Sequence, residues 1–156
     1  MIVATMRIRW LMMLYFSVLF VLMIGEVNAV SHTFTVPADG EVVKTIGLNE
    51  GDVVWGRVIV VGGSDNTIKF YVTDPNGNAI LQFDRAGATD FRFTIANTGT
   101  HRFHFDNMQS GSDKTVTINY EVQRYIMGLP QEFFYVLVVA LIGLIGVFVF
   151  VALSRS

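Results

Sequence analysis

The chain has 156 residues, 11 Lys and Arg against 13 Asp and Glu, a formal net charge of −2 and no cysteine. The missing cysteines exclude disulfides, thiol catalysis, cysteine-based zinc sites and the lipoprotein route. Residues 30–132 hold eight basic and twelve acidic side chains without a basic cluster, which argues against nucleic acid and against docking on anionic lipid.

The first element is an export segment over residues 1–29. Arg7 and Arg9 form a basic start, Trp10 to Ile24 is apolar apart from Ser17, and Val27-Asn28-Ala29 has the small-residue character of a cleavage site. The expected mature start is Val30. The rival reading is an uncleaved anchor helix, since residues 1–24 just span a bilayer if tilted.

From His32 onward short alternating strands are separated by Gly, Asn and Asp. Strands are expected over residues 32–36, 42–47, 53–61, 67–73, 80–84, 91–96, 100–106 and 114–122, with turns between them that include Ala86-Gly87-Ala88. This pattern predicts an all-β fold, an antiparallel sandwich of about eight strands. Ile68, Phe70 and Val72 share one face, as do Phe91, Phe93 and Ile95, then Phe103 and Phe105, then Val116, Ile118, Tyr120 and Val122. Two sheets stacked on these faces bury a Phe-rich core worth roughly 1.5–3 kcal/mol per large side chain, enough to replace disulfides.

Residues 124–132 read as a short linker containing Gly128 and Pro130. Residues 133–153 are an apolar run without charge, about 30 Å long as a helix, and predict a transmembrane helix that contacts the lipid bilayer. Phe133, Phe134 and Tyr135 suit an interfacial belt. Gly143 and Gly146 are three apart, not four, so no helix pair is inferred from them. Residues 154–156 form the expected cytoplasmic tail, with Arg155 on the positive-inside side.

Candidate chemistry is sparse. Asp74-Pro75-Asn76-Gly77-Asn78 spaces oxygens as a calcium loop does, but it lacks the glycine and the closing acid of that loop and reads as a tight turn. His101 and His104, three apart on a strand, face opposite ways and cannot share one ion; His101 is expected at a sheet edge and His104 on the wet face. No nucleophile, metal or phosphate-loop motif is present, so no catalytic, cofactor or metal residues are assigned and the chain is read as a non-enzyme. The loop bearing Asn107, Met108, Gln109 and Ser110 is the candidate partner contact, with Met108 its exposed apolar residue.

The series Ile68-Lys69-Phe70-Tyr71-Val72-Thr73-Asp74-Pro75-Asn76-Gly77, Phe91-Arg92-Phe93, Gly99-Thr100-His101-Arg102-Phe103-His104-Phe105-Asp106-Asn107 and Lys114-Thr115-Val116 resembles a GOLD (Golgi dynamics) domain. His101 stands where that pattern has its Tyr. The layout resembles the small type I membrane proteins of the early secretory pathway, which act as cargo receptors. That resemblance implies a compact sandwich for protein contacts. Three family features are missing: the lumenal disulfide, near one of whose cysteines His104 falls; the coiled coil; and the paired lysines or aromatics of a coat-binding tail.

The expected function is a membrane-anchored, non-catalytic protein-binding module, serving protein transport or membrane organisation, with other exported or membrane proteins as partners. The alternatives are a structural component of the cell surface or envelope, and a lipid- or glycan-binding sandwich. The expected location is a single-pass membrane, with the domain outside the cell in a prokaryote or in the endoplasmic reticulum and Golgi lumen in a eukaryote.

Overall fold

The computed structural model describes Tyr15, Ser17 and residues 29–154. The rest of the expected export segment and residues 155–156 of the expected tail lie outside the described residues. The chain divides into two compact units, residues 27–125 and the residues on either side of them.

The first unit holds β1 (Val30–Val36), β2 (Glu41–Leu48), β3 (Val53–Val61), β4 (Ile68–Thr73), β5 (Ala79–Ala86), β6 (Ala88–Thr94), β7 (Gly99–Asp106) and β8 (Lys114–Gln123). They form two four-stranded antiparallel sheets in the orders β1-β8-β3-β6 and β2-β7-β4-β5. The fold is therefore the sandwich that the alternation predicts. Most boundaries differ by one to three residues, and one expected turn nearly vanishes. Ala86 and Ala88 are strand residues, and Gly87 alone carries the chain from one sheet to the other, its carbonyl accepting from Val60 N at 2.8 Å.

The register explains the core. Phe70, Val72, Phe91, Phe93, Phe103, Phe105, Val116 and Ile118 are all buried between the sheets. Phe70 is the hub, with ring centroids 5.2 Å from Phe105, 5.3 Å from Phe91, 6.2 Å from Phe103 and 6.4 Å from Phe83. Offset and edge-on aromatic pairs of this kind each add about 0.5–1.5 kcal/mol beyond area burial. Gly56 on β3 makes room for them. A Cβ there would stand 2.2 Å from Asn119 O and 2.9 Å from the tip of Phe91.

The expected short linker contains a small hairpin. β9 (Tyr125–Ile126) pairs with β10 (Leu129–Pro130) across Met127 and Gly128, both at positive φ, 53° and 80°. That is the mirror-image turn that two-residue hairpins favour. Helix α1 (Gln131–Ser154) follows, starting two residues before the expected run, with Glu132 in its first turn where a carboxylate suits the helix dipole. Residues 131–149 are long and apolar enough to cross a membrane.

Candidate functional site

The turn Asp74–Asn78 is closed on itself. Asp74 Oδ1 accepts from Asn76 N at 2.9 Å and Asn78 N at 2.8 Å, and Oδ2 accepts from Asn78 Nδ2 at 3.2 Å. Burial pushes this carboxyl up, but the donations from Asn78 and Asn76 outweigh it and hold it below the usual carboxylate range. These bonds from within the loop, with Pro75, Asn76 and Gly77 at its tip, are those of a tight turn. Pro75 packs over Gly99 at the start of β7. A Cβ on Gly99, whose φ is 149°, would come within 2.7 Å of the proline ring. Asp74-Pro75 and Gly99 thus act as one joint.

The 107–113 loop is locked to the 37–40 turn. Asn107 N donates to Gly40 O at 2.8 Å, and Asn107 Nδ2 donates to Pro37 O and Ser112 O, both at 3.0 Å. Asp39 N donates to Ser110 O, and Ala38 N to Asp113 Oδ1 at 2.8 Å. Asn107 is therefore 3% exposed and holds the loop in place. Met108, at 63%, and Gln109 are on the surface. Ser110 is half-buried.

This loop forms one wall of a polar cleft of about 550 Å³, facing the 64–68 segment and the end of β5. Lys114, itself buried, donates from its floor to Asp65 Oδ1 at 3.0 Å and to Thr67 O. Asp65 also accepts from Thr67 Oγ1 at 2.6 Å, and Arg85 approaches it at 3.4 Å. The Thr67 hydroxyl first, and Lys114 with it, hold Asp65 well below the usual carboxylate range. Asp84, Asp106 and Lys69 line the remaining walls. Asn107 Oδ1 is buried with no hydrogen-bond partner among the described residues. β8 runs ten residues from Lys114 to Gln123, about 30 Å. The cleft therefore lies at the end of the sandwich opposite the point where the chain leaves β8.

The outer faces of the two sheets complete the surface. On the β2-β7-β4-β5 sheet, His104 stacks on Tyr71 with centroids 4.3 Å apart and planes 7° apart. Glu41 Oε1 accepts from the Tyr71 hydroxyl at 2.7 Å and lies 3.0 Å from His104 Nδ1, and Thr73 Oγ1 is 3.2 Å from Nε2. Burial and the Glu41 bond push the Tyr71 hydroxyl up to about 12. On the β1-β8-β3-β6 sheet, β3 exposes Trp55 (48%), Ile59 and Val61 in one row, broken by Arg57, which pairs with Asp90 through two bonds of 2.6 and 2.7 Å. This row was not singled out from the sequence.

The two histidines lie on opposite faces of β7, as strand alternation requires. His101 is not at a sheet edge, however. β7 is an interior strand and His101 is 1% exposed, sharing the inward face with Phe103 and Phe105, its Nδ1 3.2 Å from Gly99 O. An aromatic-sized ring is what that inward position takes. Among the described residues no three His, Asp or Glu side chains converge as metal ligands do.

A model of the emp24/gp25L/p24 family/GOLD matches residues 31–131, more than half of the chain. The chain belongs to the emp24/gp25L/p24 (GOLD) family. The family is non-catalytic, its members are secretory-pathway membrane proteins, and it is associated with protein transport there. No curated protein matches the sequence. Similar solved structures include PliG, a periplasmic lysozyme inhibitor of g-type lysozyme from Aeromonas hydrophila (13% identity, 62% of this chain and 88% of that one, TM-score 0.49). The Yersinia pseudotuberculosis-derived mitogen is another (16% identity, 65% and 91%, TM-score 0.43).

Proposed function

We propose that the chain is a membrane-anchored GOLD module that binds a protein partner on the extracytoplasmic side, in protein transport or membrane organisation. The observation that carries this reading is the cleft beside the 107–113 loop. It is polar, lies at the end of the sandwich away from the chain's exit, and has Met108 and Gln109 on the neighbouring surface. Lys114, Asp65, Asp84, Asp106 and Lys69 line the cleft with charges of both signs, which suits polar contacts with a partner. Asn107 sets the loop, Met108 supplies apolar contact, and Gln109 and Ser110 supply polar rim groups. α1 holds the module on its bilayer, at the cell surface in a prokaryote or facing the lumen in a eukaryote.

A second surface is favoured by the row Trp55, Ile59 and Val61. Trp beside Arg on an otherwise polar face is the composition of an interface anchor. The test uses the chain's lack of cysteine. Single cysteines at Met108, Trp55 and Thr100 in the full protein are crosslinked in intact membranes. Crosslinks to a discrete protein from position 108 support the cleft, and crosslinks from 55 alone move the contact to the sheet face. Equal yields at all three, or none above an inert tethered domain, count against partner binding.

A further inference from the structure

The tip of the 125–130 hairpin carries a residue that its turn does not ask for. Among the described residues, Asp39, Asn66 and Met127 are the non-glycine residues with positive φ. Aspartate and asparagine enter that region readily because their short polar side chains bond locally, an advantage methionine lacks. A turn of this kind ordinarily takes Asn-Gly. Met127 is also 90% exposed, the most exposed large apolar side chain among the described residues, so packing within the chain does not account for it.

The rest of the hairpin shares this character. Residues 125–130 carry no charge, Leu129 is exposed, and the flanking Arg124 and Glu132 cancel. Turns that close the sandwich carry Asp or Asn instead, as at Asn49, Asp65, Asp74 and Asn97. An uncharged segment with an apolar tip suits a less polar surrounding than water.

The position of the hairpin in the chain supplies that surrounding. Pro130 is followed directly by Gln131, the first residue of α1. The returning strand has two residues, about 7 Å at 3.3 Å per residue. The headgroup layer on each side of a bilayer core is itself about 5–8 Å thick. A tip on so short a lead stays within reach of the layer that α1 enters. The start of α1 suits the same layer. Phe133 and Tyr135 are exposed, and the Tyr135 hydroxyl accepts from Gln131 Nε2 at 3.1 Å, which turns its polar end back toward the helix start.

We propose that the 125–130 hairpin is a lipid-docking element, with Met127 and Leu129 entering the headgroup boundary of the bilayer beside the point where α1 crosses it. The contact is apolar and needs no anionic lipid, in keeping with the acidic balance of residues 30–132. A flexible thioether fits such an irregular surrounding. The chain keeps one span and gains a second, shallow hold on the membrane.

This inference rests on the reading of α1 as the membrane anchor, not on the partner cleft. Its test leaves the native side chain in place. The full chain, labelled with carbon-13 at its methionine methyls, is placed in phosphatidylcholine nanodiscs, and Met108→Leu and Met127→Leu assign the two signals. A lipid carrying a nitroxide near its headgroup is expected to broaden the Met127 methyl several-fold more than the Met108 methyl. A soluble gadolinium chelate is expected to do the reverse. Equal broadening of both methyls by the chelate overturns the proposal. Leu144→Cys, probed in intact membranes with a water-soluble maleimide, tells the two readings apart. If it is protected, the anchor stands and a chelate-accessible Met127 sinks the hairpin proposal alone. If it is labelled, the anchor reading fails and the hairpin proposal falls with it.

Discussion

The two outer faces of the sandwich both expose apolar side chains, Val43 and Ile80 on one and Trp55, Ile59 and Val61 on the other, but they use their polar groups differently. On the β2-β7-β4-β5 sheet, neighbouring strands spend their polar groups on one another: Glu41, Tyr71, Thr73 and His104 form one linked cluster. On the β1-β8-β3-β6 sheet, the Arg57–Asp90 pair and a Thr33–Thr117 hydroxyl bond of 2.9 Å are local, and Trp55, Ile59 and Val61 stay open to solvent. A face whose groups are already matched has little to offer a partner. A face that leaves a Trp uncovered has binding area in reserve. The difference separates side chains that hold the domain together from side chains that are available.

The largest effect comes from beneath the open face. Gly56→Ala puts a methyl group 2.2 Å from a backbone oxygen of β8, which the strand cannot avoid without breaking register. A loss of about 3 kcal/mol or more is expected, read as a collapse of cooperative thermal unfolding. Next is the linked face. Tyr71→Ala removes the stack on His104 and the bond to Glu41 together, at about 1–2 kcal/mol by denaturant titration. The same substitution at Trp55 is expected to shift stability by only about 0.5 kcal/mol while changing crosslink yield. Equal stability losses at Tyr71 and Trp55 would erase the contrast between the faces.

The pH profile sharpens it further, with smaller effects. Asp65, Asp74 and Asp90 are held below the ordinary carboxylate value of 3.8 in the folded chain, Asp90 chiefly by the Arg57 bonds. Their contribution is present above that value and is lost as pH falls through it, so unfolding is expected to ease below about pH 4. Tyr71 is shifted the other way, from 10.0 to about 12. Its contribution is present below pH 10 and is lost as pH rises toward 12. Tyr71→Phe is expected to flatten that alkaline limb and leave the acid limb unchanged in urea titrations across pH.

Where a strand has one dry and one wet face, the sequence carried its orientation in full. β4, β6, β7 and β8 alternate Phe, Val or Ile with polar residues, and their inward sides are the ones expected. β3 does not alternate. From Val53 to Val61 the residues on both sides are apolar apart from Gly56 and Arg57, so the outward side that Trp55, Ile59 and Val61 share is marked by the parity of Arg57 alone. The same property hid the open face. His101 is polar, but its parity with Phe103 and Phe105 decides its place on the inward face. The hairpin at residues 125–130 left almost no trace, since two-residue strands have no period and Met127 is an unusual residue for a positive φ. The 107–113 loop was legible as a loop. The cleft beside it was not, because its opposite wall comes from residues 64–68 and 84–85, far away in the chain.

The pairing of β1 with β8 has a mechanical consequence. The strands that begin and end the domain lie antiparallel with their free ends together, Val30 facing Tyr120 and Gln123 just beyond. Tension that draws those ends apart loads one hydrogen-bonded pair at a time, as in opening a zipper. Tension applied to a partner held near the 107–113 loop enters β8 at Lys114 and leaves past Gln123, so the covalent backbone of that strand carries it. The sandwich is therefore stiff to a pull from its far end and soft to a separation at its base.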